Sequence, residues 1–206
     1  SGLLDWGLRL CFLLTLPAAL GLAILAVPLI STLFMHGAFT PHDVDETSQA
    51  LIAYTVGLSG LILVKVLAPG FYARQNLKTP VKIAITALIA TQLMNLAFIG
   101  PFKQAGLALS IGLAACLNAA LLYRGLRQAG IYQPLPGWWS FLIKLSVALL
   151  VMAAVLVTGY RTDAFWLETA LSERALHLGL LITGAGVAYG GTLLLLGFRP
   201  KDFRKS

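Results

Sequence analysis

A lysine inside an apolar run is the first residue here that could do chemistry. Lys65 stands in Leu61-Ile-Leu-Val-Lys65-Val-Leu-Ala-Pro69, nine residues before Arg74. At 1.5 Å per helical residue its Cα lies on the order of 13 Å below the level of Arg74. A cation at that depth in a bilayer costs roughly 2.5–3.5 kcal/mol on insertion scales, so it faces a cavity or a partner, or else it snorkels back to the interface. The cavity reading is weighed above the snorkelling one. Pro69 follows four residues later and Gly70 next. A proline has no N–H and its ring clashes with the carbonyl four residues back, which is that of Lys65. A charge and a freed carbonyl at one bend is a transporter-like combination, although packing kinks are also common in membrane helices. Pro69 and Gly70 are therefore candidate hinge residues.

Further along, Thr91, Gln92 and Asn95 share one helical face, and Ser110, Ala114, Ala115 and Asn118 share another. Small residues let helices approach and amides bridge them, so interhelical packing is the first reading. Substrate contact is the second, and it puts Gln92, Asn95 and Asn118 beside Lys65 as candidate cavity residues. Gly186-Val-Ala-Tyr-Gly190 is a weak helix-packing pattern. His36, His42, Asp43, Asp45 and Glu46 match no metal spacing and read as a solvated helix start at Thr40-Pro41-His42-Asp43, expected to open a short separate helix before the second span. Cys11 and Cys116 lie in apolar segments and read as small buried hydrophobes. There is no phosphate-binding loop, no zinc-protease motif and no acid inside an apolar run, so no catalytic, metal or cofactor site is assigned.

The elements that must carry these residues are membrane helices. Of 206 residues, 58% are hydrophobic and 11% charged, where a soluble domain carries about 25% charged residues. Six apolar segments can be drawn, at 10–35, 49–73, 81–100, 104–123, 140–160 and 175–197. Each is near the ~20 residues that cross ~30 Å of hydrocarbon as a helix, and lipid leaves the backbone few alternatives. The net charge of +7 does not point to nucleic acid, because the basic residues flank the apolar runs. Eleven of the fifteen lie on one side: Arg9, Arg74, Lys78, Lys82, Arg124, Arg127, Lys144, Arg199, Lys201, Arg204 and Lys205. Three lie on the other: Lys103, Arg161 and Arg174. The positive-inside rule then places both ends in the cytoplasm. Phe71, Tyr72, Tyr123, Trp138, Trp139, Tyr160, Phe165 and Trp166 mark span ends and read as headgroup-level rings. In the fourth loop, Gly130 suits a helix end, and Pro134 and Pro136 forbid continuation. The chain opens Ser1-Gly2-Leu3 with neither an initiator Met nor a signal-peptide pattern, and the expectation is a fragment of a longer protein.

Four stretches together resemble the MurJ (MviN) lipid II flippase family. They are Asp5-Trp-Gly-Leu-Arg9, the long run from Lys65 to Lys82, Gln92-Leu-Met-Asn95, and Ser110 to Asn118. The run 65–82 is the most specific, and the resemblance weakens after about Tyr160. It implies an all-α fold of fourteen helices, of the multidrug/oligosaccharidyl-lipid/polysaccharide exporter superfamily, with this chain as the last six. Residues 1–130 would be the four-helix part of the C-terminal lobe. Residues 131–206 would be two peripheral helices, lining a groove for a lipid tail, and a cytoplasmic tail. The implied activity is non-enzymatic, with no cofactor: alternating access that moves the undecaprenyl-pyrophosphate-linked peptidoglycan precursor, lipid II, to the outer leaflet of the bacterial inner membrane. The implied partners are lipid II, membrane lipids and an N-terminal lobe outside this chain. Some members are thought to bind sodium with acidic help near the third and fourth spans, which carry no acid here. A drug or polysaccharide exporter of the same superfamily, or a non-transporting scaffold for cell-wall enzymes, are the alternatives. The run 65–82 weighs against the first of them, and Lys65 beside Pro69 against the second.

Overall fold

A computed structural model describes residues 2–35 and 39–198. Among them every regular element is a helix: α1 (Gly2–Ile24), α2 (Ala26–Phe34), α3 (Pro41–Tyr72), α4 (Lys78–Gln128), α5 (Trp138–Gly159), α6 (Asp163–Glu168) and α7 (Leu171–Leu195). Five of these are long and apolar enough to cross a bilayer: α1, α3, α4, α5 and α7. Helix α4 has 51 residues, about twice what one crossing needs.

Helix α4 is two helices. Pro101 lies inside it, and Lys103 takes φ 47° and ψ −123°, far from any helical geometry. The chain reverses there, because a Cβ on Gly106 would strike the carbonyl of Phe98 eight residues earlier, a pair that a straight helix holds about 12 Å apart. The expected third and fourth spans are both present, separated by this turn. The first expected span needs correction. It starts at Gly2 rather than at residue 10, and it breaks at Leu25 into α1 and α2. Pro28 explains the break: its ring clashes with the carbonyl of Ile24, and it is tolerated in the first turn of a new helix.

Thr40 and Asp43 start α3 as their spacing suggests. The Thr40 N–H donates to Asp43 Oδ2 at 2.8 Å, and the Asp43 N–H donates back to Thr40 Oγ1 at 3.3 Å. The expected short separate helix is instead the first part of one continuous helix of 32 residues. Its length, on the order of 48 Å, exceeds the hydrocarbon thickness by several turns. At the far end of α4, Gly130 takes φ +66° and turns its N–H back to the carbonyl of Arg127 at 3.1 Å, the left-handed close that glycine permits. The six-residue helix α6 has no counterpart among the expected spans.

Packing groups the described residues into two compact units, one of 2–16 with 53–138 and one of 17–35, 39–52 and 139–198. The core of the first joins Leu8, Leu67, Phe71, Ala119, Leu122, Leu126 and Tyr132. That of the second joins Leu25, Met152, Leu156, Trp166, Leu178, Leu181 and Ala185. Phe71 and Trp166 are 1% and 0% exposed, so neither ring is a headgroup anchor: each faces its own core. Trp139, at 81%, remains free for that role. Both cysteines are unpaired; Cys11 is buried, and Cys116, only half-buried, sets its Sγ 3.7 Å from the Val56 carbonyl.

Candidate functional site

All six sequence-level candidates fall within the first unit. Lys65 and Pro69 are exposed on α3, while Leu67, Gly70 and Phe71 turn inward against α1 and the second half of α4. The lysine thus stands on the face of α3 that its own unit leaves uncovered. A Cβ on Gly70 would meet Leu126 Cδ2 at 3.0 Å and Leu4 Cδ1 at 3.2 Å. Its missing side chain makes room for two neighbours, a packing reason for glycine that the sequence does not display.

On α4, Gln92 is exposed, and Asn95 and Asn118 are half-buried. The hydroxyls beside them turn to their own helix: Thr91 Oγ1 donates to Ala87 O at 2.9 Å and Ser110 Oγ to Gly106 O at 2.8 Å. The amide oxygens do not bridge helices. Oδ1 of Asn95 and Oδ1 of Asn118 are both buried without a hydrogen-bond donor, which costs free energy unless something outside this chain supplies one.

Bare backbone is what brings α3 against the second half of α4. A Cβ on Gly57 would run into the backbone of Gly112, and one on Gly60 would stand 2.6 Å from Cys116 N. Ala114 and Ala115 are buried nearby in sequence. In lipid, apolar burial drives helices together only weakly, so such close van der Waals approach carries the packing. The Gly186–Gly190 pattern does nothing comparable: a Cβ at either position meets no atom within 4 Å.

A network that sequence reasoning missed lies at the start of α1. Asp5 is 2% exposed. Its Oδ1 accepts from Trp138 Nε1 at 2.7 Å, Tyr132 Oη at 2.9 Å and the Leu135 N–H at 3.2 Å. Its Oδ2 takes Arg9 Nε at 2.8 Å, one helical turn on. Arg9 then reaches the Pro136 carbonyl at 3.2 Å and covers the Trp138 ring at 5.3 Å. Burial, and then the bond to Asp5, push the Tyr132 phenol well above the usual tyrosine range. The loop after α4 is therefore a fixed structure, not a slack connector. The stretch Asp5-Trp-Gly-Leu-Arg9 stood out only as a family resemblance; the i,i+4 acid–base pair was its one physical signal.

In the expected helix start, His42 Nε2 lies 3.5 Å from Glu46 Oε1 and Asp43 is engaged as the cap. His36 lies outside the described residues.

A family model described as "Lipid II flippase MurJ" matches residues 1–171. The chain belongs to the MurJ family. A relative named lipid II flippase MurJ, from Burkholderia cenocepacia, is 48% identical across 100% of this chain and 40% of its own length. A probable lipid II flippase MurJ from Vibrio cholerae is 45% identical across 98% of this chain and 38% of its own. The chain thus spans about 40% of the length of the curated relatives it matches. A solved structure described as "Lipid II flippase MurJ, inward closed conformation" superposes with a TM-score of 0.71 at 24% identity, over 93% of this chain and 39% of that one. That likeness concerns the fold: this chain is an all-helical, multi-pass membrane protein built like part of a MurJ.

Proposed function

We propose that this chain is the C-terminal portion of a lipid II flippase, a transporter rather than an enzyme. In this reading residues 1–130 supply four helices of the C-terminal lobe and residues 131–206 the peripheral pair. The division is one of role, and the packing units cut across it, since 17–35 and 39–52 group with the peripheral helices. The strong excess of basic residues on one side supports both termini facing the cytoplasm, and the family supports the inner membrane of a bacterium. A second lobe, outside this chain, completes the alternating-access path.

The observation that carries the site is Lys65 standing exposed beside Pro69 on a face of α3 that its own unit leaves open. Its ammonium meets the pyrophosphate of lipid II, the part of the substrate that a bilayer penalises most, and low dielectric strengthens that attraction. Gln92, Asn95 and Asn118 extend the polar lining; the two donorless Asn oxygens suit donors on a sugar, a peptide or the facing lobe. Pro69 and Gly70 let α3 bend beside the charge. The apolar faces of α5 and α7, with Leu150 at 69% exposure, suit a polyprenyl tail.

The test is complementation of a flippase-depleted strain by a full-length flippase whose C-terminal portion is this chain. Lys65→Ala is expected to lose outer-leaflet lipid II at unchanged membrane levels, and Lys65→Arg to keep more of it, because the charge survives while its geometry changes. Normal growth and normal lipid II with Lys65→Ala would reduce this lysine to a snorkelling anchor.

A further inference from the structure

Arg174 is a cation in an unfavourable place. It is 6% exposed and lies in the first turn of α7, where the helix dipole is positive and repels it. No ion pair among the described residues includes it. A buried charge without compensation is strongly disfavoured. Its Nη1 is instead shared between the Trp166 carbonyl at 2.9 Å and the Ser31 carbonyl at 3.1 Å, with Met35 Sδ at 4.0 Å. These carbonyls belong to the last turns of α6 and α2. Such turns carry partial negative charge, and the Ser31 carbonyl, which already accepts the Met35 N–H at 3.3 Å, takes the guanidinium as a second donor. Two helix ends thus stand in for a carboxylate. One turn further along α7, His177 Nε2 lies 3.0 Å from the Gly159 carbonyl, and its ring packs 5.6 Å from those of Phe165 and Trp166. Helix α2 packs directly on α6 and α7, and all three lie in the second unit.

We propose that Arg174 is a strap: by tying the C-terminal ends of α2 and α6 to the first turn of α7, it makes these three elements one body. Helix α1 gives way to α2 at Leu25, and α2 beyond that break is held. Letting go would leave a buried guanidinium and an unpaired carbonyl in low dielectric, so the strap stays closed. Displacement of α2 then carries α6 and α7 with it. This property belongs to the packing of the chain and holds whatever the substrate is.

Thr32 provides the probe. It is 7% exposed on α2, and its hydroxyl has no hydrogen-bond partner, so Thr32→Cys removes no bond. The full-length protein is made in bacterial membranes with Cys11→Ala and Cys116→Ala, and the rate at which a small water-soluble maleimide modifies the new cysteine is followed. With Arg174 present the thiol is expected to react slowly. With Arg174→Met, which keeps length but not hydrogen bonds, the rate rises by roughly tenfold or more, as loss of two charge-assisted bonds shifts a local opening. A cysteine at Ser110, 0% exposed in the first unit, reports the rest of the fold and stays unreactive. An unchanged Thr32→Cys rate in Arg174→Met means that apolar packing alone holds α2, and overturns the proposal. If Arg174→Met exposes the Ser110 probe as well, Arg174→Lys decides. A Thr32→Cys rate that rises while the Ser110 probe stays silent is expected from a charge that keeps fewer bonds, and a Thr32→Cys rate that rises only together with that of the Ser110 probe overturns the strap.

Discussion

Replacing Asp5 by alanine tests whether the network at the start of α1 holds the loop that follows α4. The carboxylate is 2% exposed and accepts four hydrogen bonds. Removing it leaves four donors without an acceptor, and they do not lose equally. Tyr132 is 1% exposed and Trp138 half-buried, so their O–H and N–H groups gain no full water partner. Each such orphan costs about 1–3 kcal/mol. Leu135 is exposed and Arg9 only half-buried, so both recover solvation, and the loss of that ion pair adds little. The buried Tyr132 hydroxyl and the half-buried Trp138 N–H together set the expected loss at about 3–4 kcal/mol for the attachment of residues 131–138. Asp5→Asn keeps an acceptor oxygen and forfeits the charge, which is expected to cost about 1–2 kcal/mol. Hydrogen exchange by mass spectrometry reads this locally, since the Ile131 and Tyr132 amides bond to Leu126 O and the Leu135 amide to Asp5. A loss of about 3 kcal/mol accelerates exchange through local opening by roughly a hundredfold. Exchange within about threefold of wild type in Asp5→Ala would show that apolar packing secures the loop and that the bond geometry is incidental.

Three further outcomes follow from single residues. Gly57→Ala pushes a methyl into the backbone of Gly112 and is expected to cost about 1–3 kcal/mol, whereas Gly186→Ala, with open space around it, stays within about 0.5 kcal/mol; thermal unfolding in detergent compares the two. Lys103→Gly relieves a backbone conformation that suits only glycine, φ 47° and ψ −123°, and is expected to raise stability by about 1 kcal/mol after the greater freedom of the unfolded chain is subtracted, seen as a higher unfolding temperature. The Tyr132 phenol, its pKa raised by burial and by Asp5, is expected to remain protonated near about pH 11, where a free tyrosine is mostly ionised. Its contribution to stability is complete below the ordinary tyrosine value and is lost as pH climbs toward the raised one. Ultraviolet titration of Tyr132→Phe should show a smaller late component, the remainder coming from tyrosines such as Tyr160, which burial and Asp163 also push up; an unchanged profile would contradict the burial argument.

Properties that depend on neighbouring residues could be read from the sequence. Apolar runs of span length, prolines that end or divide helices, the Thr40–Asp43 cap and the glycine close after α4 each act within a few residues. Composition is therefore enough to announce them. Even here Pro28 was the overlooked sign that the first span divides, and a continuous α3 replaced the expected short helix because nothing after Pro41 stops it. The tertiary structure alone decided which polar residues matter inside the fold. Asp5 and Trp138 are 133 positions apart, and nothing near either one names the other. Arg174 counted as one charge in an outer loop until Ser31, 143 positions away, was brought against it. Phe71 and Trp166 look identical in sequence to rings at a lipid interface, and only the neighbours that cover them make them core. A hydropathy pattern records how each residue stands toward water and lipid. Which of the buried groups meet is set by helix packing, where close contacts between distant residues select one arrangement among many that would satisfy the same pattern.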